Sequence, residues 1–189
     1  KSEDFHTYVI EHANQLDEMI IHENDMTYNV FAIETLKRSY LMKSHDVIVE
    51  TPQYALMRIA VALNFNNKAL GDNFERIEET YKAMSSKKYT HASPTIFNAG
   101  TPRPQMASCF LLRNKGDSID GIYKGIGACA AISKYAGGIG LSFQDIRSNG
   151  SYIEGTNGKS DGIIPALKVL EATARYVNQA GKRKGSFAI

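Results

Sequence analysis

The stretch THASPTIFNAGTPRPQMASCFLL, residues 90–112, decides how this chain is organised. Its three prolines and its glycine exclude a continuous helix through residues 94–104, because proline has no amide hydrogen and fixes φ. We therefore expect a long ordered loop that leads into the apolar run Met106–Leu112. Cys109, one of two cysteines in the chain, then lies in a short strand. A free cysteine in such a place is commonly an inert, buried core residue.

Composition limits the classes of function. The 189 residues are 43% hydrophobic and carry a net charge of +2, which predicts one sizeable core and gives no basic surface for nucleic acid. No apolar run is long enough to cross a bilayer, so we expect no membrane association. The two cysteines lie 20 residues apart and the histidines lack metal-ligand spacing, which predicts no metal site and a reducing, cytoplasmic location.

The first half of the chain has helical periodicity. Apolar residues recur at three- and four-residue spacing, and Thr51-Pro52 combines a capping hydroxyl with proline at the first helical position. Asp72 and Glu75 have the spacing of a capping box. We predict helices that begin near Asp4, Tyr28, Thr51 and Asp72, with a small hairpin over residues 41–49.

The second half alternates between strand and helix patterns. Ser118 can cap a helix that runs to about Lys134, alternating apolar residues over 139–143 predict a strand, and Pro165 opens a further helix. A last strand begins at Phe187. This alternation favours parallel strands with helical crossovers, an α/β fold.

Six motifs follow one another along the chain: His91–Gly100, Ser108–Leu112, Asp117–Ile119, Ala136–Gly140, Gly150–Gly158 and Gly181–Gly185. Through these motifs the chain resembles, from about residue 27 onward, the catalytic (large) subunit of class I ribonucleotide reductase. This family has a ten-stranded α/β barrel built from two half-barrels. The resemblance implies a helical region with a small hairpin over residues 1–88 and the beginning of the barrel over residues 89–189, as a fragment.

The resemblance implies a catalytic role for Cys109. It would be one thiol of the redox pair that supplies two electrons for reduction of a ribonucleoside diphosphate. A metal-containing small subunit would supply the radical, and thioredoxin or glutaredoxin would supply reducing equivalents, with no cofactor held by this chain. The isolated chain is expected to be inactive, since the partner cysteine and the thiyl cysteine lie downstream in the family. The implied substrate-binding residues are Ala92, Ser93, Ser108, Gly137 and Gly138.

The resemblance also implies an allosteric site for a deoxynucleoside triphosphate or ATP, at the interface of a homodimer. A specificity loop over residues 178–186 would carry the signal to the substrate through Gln179, Lys182 and Arg183. Asn178 and Ala180 depart from the aspartate and glycine common in that loop, which affects the expected effector selectivity. The implied effector-binding residues are Asp117, Ser118, Ile119, Lys134, Arg147, Glu154, Gly155, Asn178 and Gln179.

Two alternatives stay open at the level of sequence. A cobalamin-dependent class II relative would need no radical-generating subunit, although the motifs at residues 91–93 and 150–158 are closer to class I. A nucleotide-binding regulatory or interaction module without catalysis is the other. A downstream Asn-x-Cys-x-Glu would indicate catalysis, whereas a stop codon at position 190 would favour the module. No segment matches the family's ATP-cone domain.

Overall fold

The structure, a computed structural model, describes residues 2–66, 73–135, 137–178 and 187–189. The chain divides into two compact units, Lys1–Met106 and Ala107–Ile189. Within the described residues, no helix is long and apolar enough to cross a membrane.

The first unit is mainly helical. The predicted starts near Asp4 and Tyr28 are confirmed to within two residues, and the helix predicted from Thr51 begins at Pro52, where Thr51 Oγ1 accepts a hydrogen bond from the amide of Tyr54. Its elements are α1 Ser2–Glu11, α2 Ala13–Glu18, a 3₁₀ turn His22–Thr27, α3 Val30–Thr35, a π-turn Leu36–Tyr40, β1 Lys43–Ser44, β2 Val47–Ile48, α4 Pro52–Asn64, α5 Asn73–Ser85 and α6 Ser93–Asn98.

The core of the first unit lies between α4 and α5. Apolar residues spaced by three and four positions, such as Ile59 on α4 and Ile77 on α5, are almost completely buried there. Tyr81 brings a hydroxyl into this core, and the hydroxyl donates to Gln53 Oε1 at 2.8 Å and accepts from the amide of Ile21 at 2.9 Å. The buried hydroxyl of Tyr81 thus has both a donor and an acceptor, as burial requires.

The segment predicted as a long loop contains a short helix. Residues 94–104 do not form a continuous helix, as expected, but α6 occupies Ser93–Asn98 because a proline is compatible with a first helical turn. The chain after α6 is held by side chains of the helix itself. Thr95 Oγ1 donates to the carbonyl of Met106 at 3.1 Å, and Asn98 Nδ2 donates to the carbonyl of Gln105 at 2.7 Å.

The second unit confirms the α/β prediction. Three parallel strands lie in the order β3-β4-β7, and β5 and β6 form a separate antiparallel hairpin. Ser118 caps α7 by accepting from the amide of Gly121 at 3.1 Å, as the sequence predicts. The elements are β3 Cys109–Arg113, α7 Ile119–Ser133, β4 Gly138–Ser142, β5 Tyr152–Ile153, β6 Gly158–Lys159, α8 Ile164–Asn178 and β7 Phe187–Ala188.

One face of this parallel sheet is covered by helices. Ile139 and Leu141 on β4 point into a core that includes Cys129 of α7 and Leu170 of α8. On β3, Cys109, Leu111 and Arg113 alternate outward, and Leu111 is 93% exposed. The sheet therefore has a buried face and an open face, and Cys109 lies on the open one.

Candidate functional site

Cys109 is an exposed thiol at the start of β3. Its register partner on β4 is Gly138, and the hydroxyl of Ser108 donates to Cys109 Sγ at 3.6 Å. A Cβ added at Gly138 would lie 3.8 Å from this sulfur, within ordinary contact distance. The backbone beside the thiol thus carries no side chain that could obstruct an approaching molecule.

Gly137 lacks a side chain for a different reason. A Cβ at this position would lie 2.6 Å from Ile132 Cγ2 and 2.9 Å from Phe110 Cε2. Packing alone therefore requires glycine at 137, independently of any ligand. Of the glycine pair, only Gly138 borders the thiol.

Cys129 contrasts with Cys109. It is fully buried in the core of the second unit, and this burial raises the pKa of the Cys129 thiol. A buried and protonated thiol is a poor nucleophile and a poor electron donor. Of the two cysteines, Cys109 is the one that is exposed.

Ala92 and Ser93, the other predicted substrate residues, belong to the first unit. Ala92 is exposed immediately before α6 and Ser93 is the first residue of that helix. The Ser93 hydroxyl is half-buried and lies 3.3 Å from the hydroxyl of Tyr40.

Four of the predicted effector residues share one cleft in the second unit. The cleft has a volume of about 380 Å³ and is bordered by Asp117, Ser118, Ile119 and Arg147. The first three lie at the beginning of α7, where unpaired amide groups favour negative charge. Ser118 Oγ is already engaged as the helix cap.

Arg147 organises the polar end of this cleft. Its Nε donates to Asp117 Oδ2, its Nη2 donates to the carbonyl of Asp117 at 3.3 Å, and its Nη1 donates to the carbonyl of Tyr152 at 3.0 Å. The guanidinium therefore connects the start of α7 to the β5–β6 hairpin. Because both side chains are about one-third exposed, water or a ligand can reach the pair.

The apolar wall of the cleft was not identified from sequence. The α7 members recur at three- and four-residue spacing, and this periodicity was the available signal. Such a wall suits the flat, weakly polar face of a nucleobase. The additional lining residues are Ile122, Tyr123, Ile126, Ile146, Ile153, Lys159, Ser160, Asp161, Gly162, Pro165, Ala166 and Val169.

Lys134 is not brought to the same cleft. It follows Ser133 at the other end of α7, and its ammonium group lies 5.8 Å from the centre of the Tyr135 ring. A 15-residue helix is about 22 Å long, so α7 separates Lys134 from Arg147 within one copy of the chain. Within one copy of the chain, Lys134 and Arg147 therefore do not lie together.

Two further predicted effector residues lie beside the cleft and not on its border. Glu154 and Gly155 lie in the exposed turn between β5 and β6, next to the cleft residue Ile153. Asn178 is the last residue of α8. Gln179, Lys182 and Arg183 lie outside the described residues. Within the described part of the chain, no group of three histidine, cysteine or carboxylate side chains could hold a metal ion.

Two family profiles match the chain. The profile described as "Ribonucleotide reductase, all-alpha domain" matches residues 26–104, and "Ribonucleotide reductase, barrel domain" matches residues 107–189. Together they account for most of the chain.

Curated relatives match over nearly the whole chain. It is 51% identical over 189 residues to the ribonucleoside-diphosphate reductase large subunit of Arabidopsis thaliana and 52% identical over 189 residues to the large chain of Neurospora crassa. It is 52% identical over 182 residues, 96% of its length, to the large subunit of Monkeypox virus. The first two alignments cover all of this chain. The chain spans 20–23% of the length of these three relatives.

Proposed function

Because this chain belongs to the ribonucleotide reductase family, we propose that it is part of a catalytic large subunit that reduces ribonucleoside diphosphates. The observation that carries the proposal is the position of Cys109. It is an exposed thiol on the open face of a parallel sheet, and its neighbour on β4 is Gly138, which leaves room for a substrate.

The proposed reaction balances through two thiols. Cys109 and a second cysteine of the whole protein each lose one electron and one proton as they close to a disulfide. The two electrons and two protons replace the ribose 2′-hydroxyl by hydrogen and release it as water. A radical supplied by the small subunit would activate the sugar, and an external dithiol such as thioredoxin or glutaredoxin would reopen the disulfide. Ser93, Ser108 and Gly138 are proposed to contact the nucleotide.

Cysteine substitutions in the full-length protein test this role. Cys109→Ser should abolish steady-state turnover with a dithiol reductant and the radical-supplying subunit, because serine cannot close a disulfide. Cys129→Ala is the matched control and should retain turnover, since this thiol is enclosed in the core. Unchanged steady-state turnover in Cys109→Ser would contradict the assignment.

We further propose that the cleft at the start of α7 binds the allosteric deoxynucleoside triphosphate or ATP. Its apolar wall would accept the base, while the Arg147–Asp117 pair supplies a cation and an acceptor at one end. The same contacts would connect a bound nucleotide to the β5–β6 hairpin through Tyr152. Glu154 and Gly155 in the hairpin turn would then respond to occupancy.

In a homodimer, the second copy of the chain would supply the Lys134 cation that the cleft lacks within one copy. Ile119 and Tyr123 on α7 are 73% and 57% exposed, which leaves an apolar surface on the helix next to the cleft. Antiparallel pairing of α7 with its copy would bring Lys134 of the second copy toward Ser118 of the first. A two-fold axis produces this reciprocal arrangement, with two identical effector sites.

Equilibrium binding of dTTP or dATP to the full-length protein tests the site. Arg147→Ala should weaken binding by about 1.5 to 3 kcal/mol, or one to two decades, because a charged hydrogen-bond partner is lost. Arg38→Ala, an exposed arginine of the first unit, is the control and should bind normally. Equal affinity in the wild type and Arg147→Ala would remove the site from this cleft. Lys134→Ala should weaken binding only at protein concentrations at which the wild type is dimeric.

A further inference from the structure

A π-turn gives the segment before β1 an unusual geometry. The amide of Leu41 donates to the carbonyl of Leu36 at 2.9 Å, an i to i+5 hydrogen bond, and Leu36–Tyr40 form one wide turn after α3. Such turns change the direction of the side chains that follow and are frequent at functional sites. Here the turn ends at Tyr40.

Tyr40 makes two contacts with α6. Its ring packs on Phe97 with 5.1 Å between the ring centres, and its hydroxyl oxygen lies 3.3 Å from Ser93 Oγ. Ser93 and Phe97 are four residues apart and therefore share one face of the helix. One tyrosine thus contacts both ends of the face that carries Ser93.

A bound ligand would decide which hydroxyl donates in the Tyr40–Ser93 hydrogen bond. A serine hydroxyl has one hydrogen and two acceptor positions. If Ser93 gives its hydrogen to a phosphate or sugar oxygen, it can still accept, and the Tyr40 hydroxyl is the donor at hand. Tyr40 then fixes the Ser93 rotor so that its hydrogen points away from the tyrosine and toward the ligand.

The backbone of α6 is fixed independently of Tyr40. Arg58 Nη1 donates to the carbonyl of Ala99 at 2.6 Å and to the carbonyl of Ile96 at 3.3 Å. Arg58 is itself held by Glu50 through bonds of 2.8 and 2.9 Å, and that ion pair is about one-tenth exposed. Removing only the Tyr40 hydroxyl therefore leaves the helix in place.

From these contacts we propose that Tyr40 is a positioning residue for the nucleotide substrate, acting through the hydroxyl of Ser93. The inference rests on the proposed role of Ser93 in substrate binding. It predicts that the phenol hydroxyl, rather than the ring, contributes to substrate affinity, because the ring contact with Phe97 is retained in phenylalanine. The expected effect of the hydroxyl is on ground-state binding, because Tyr40 acts through the hydrogen bond of Ser93 and not as a reacting group.

Steady-state kinetics of the full-length protein with its radical-supplying subunit and a dithiol reductant test the inference. Tyr40→Phe should raise KM for the ribonucleoside diphosphate about three- to tenfold, the effect of one hydrogen bond, and leave kcat within about twofold. Affinity for the effector nucleotide should not change. Tyr54→Phe, another partly exposed tyrosine of the first unit, is the control and should leave KM unchanged.

A double-mutant cycle separates this inference from the proposal on which it rests. Ser93→Ala should raise KM, and adding Tyr40→Phe should raise it no further, because the tyrosine acts through the serine. If Ser93→Ala raises KM but Tyr40→Phe does not, or the two effects multiply, Tyr40 has no positioning role while Ser93 keeps its own. If Ser93→Ala leaves KM unchanged, the substrate role of Ser93 is lost, and the inference with it.

Discussion

The two units each contain an arginine–carboxylate pair, and the pairs differ in their surroundings. In the first unit, Arg58 and Glu50 are 11% and 9% exposed, and the remaining donors and acceptors meet backbone groups such as the amide of Met42. In the second unit, Arg147 and Asp117 are 33% and 28% exposed and border an open cleft. The same chemistry joins secondary-structure elements in one place and remains accessible to a ligand in the other.

Burial decides which contacts a charged pair can make. A nearly buried ion pair stays charged only if every donor and acceptor of its two side chains has a partner. No donor or acceptor of such a pair is then left to bind a ligand. A partly exposed pair contributes less to stability but can exchange a protein contact for a ligand contact. Its surroundings, not its residue types, leave the Arg147–Asp117 pair accessible to a ligand.

The largest effect should follow from breaking the buried pair. Arg58→Met should lower the free energy of unfolding by about 3 to 5 kcal/mol, because Glu50 is left buried without its partner and two carbonyls of the α6 region lose their donor. Urea unfolding of the 189-residue chain, followed by circular dichroism, measures it. A loss below about 1 kcal/mol would mean that the pair is as replaceable as a surface one.

A smaller effect is expected from Tyr81→Phe in the core of the same unit. The change removes the donor to Gln53 and the acceptor for the amide of Ile21 without altering ring packing. We expect a loss of about 1 to 3 kcal/mol, since the buried Gln53 side chain loses a donor and a partly buried amide loses its acceptor. Tyr176→Phe in α8, where the tyrosine is 77% exposed, provides the control with the same chemical change. Equal losses in the two variants would contradict the prediction.

The exposed pair should contribute still less. Arg147→Met should cost about 1 kcal/mol in the same unfolding experiment, because solvent compensates a pair that is one-third exposed. Arg175, which pairs with Glu171 on the surface of α8, gives the lower limit of about 0.3 to 0.5 kcal/mol. If Arg147→Met destabilised the chain as much as Arg58→Met, the two pairs would be equivalent and the comparison would fail.

The smallest expected effect is on how the free energy of unfolding depends on pH. Burial lowers the pKa of the His91 imidazole below its ordinary value of 6.5, so the unfolded chain binds a proton more readily than the folded chain. Stability due to this group is therefore complete above about pH 6.5 and is lost as the pH falls through 6.5 toward the lowered pKa. His91→Gln should flatten the stability profile in this range. An identical pH profile in the variant would show that other groups cause the acid dependence.

Much of the fold could be predicted because its signals are local. The Thr51-Pro52 helix start, the Ser118 cap and the alternation of Ile139 and Leu141 each depend on residues a few positions apart. Capping, helical periodicity and strand alternation follow from backbone geometry, so the helices and the parallel sheet followed from sequence. The α6 helix was missed because Pro94 can either break a helix or begin one, and the sequence alone leaves both options open.

The sequence by itself determined the fold class and the order of the main helices and of the parallel strands. Only the tertiary structure decided which charged residues meet. Lys134 and Arg147 are 13 positions apart, yet a rigid helix keeps them at opposite ends, while Asp117 and Arg147 are 30 positions apart and hydrogen-bonded. The number of positions between two residues measures their distance along the chain. Whether the residues touch depends on how the helices and strands between them are arranged in space. A helix of fixed rise keeps its two ends apart, and a strand crossover brings distant residues together.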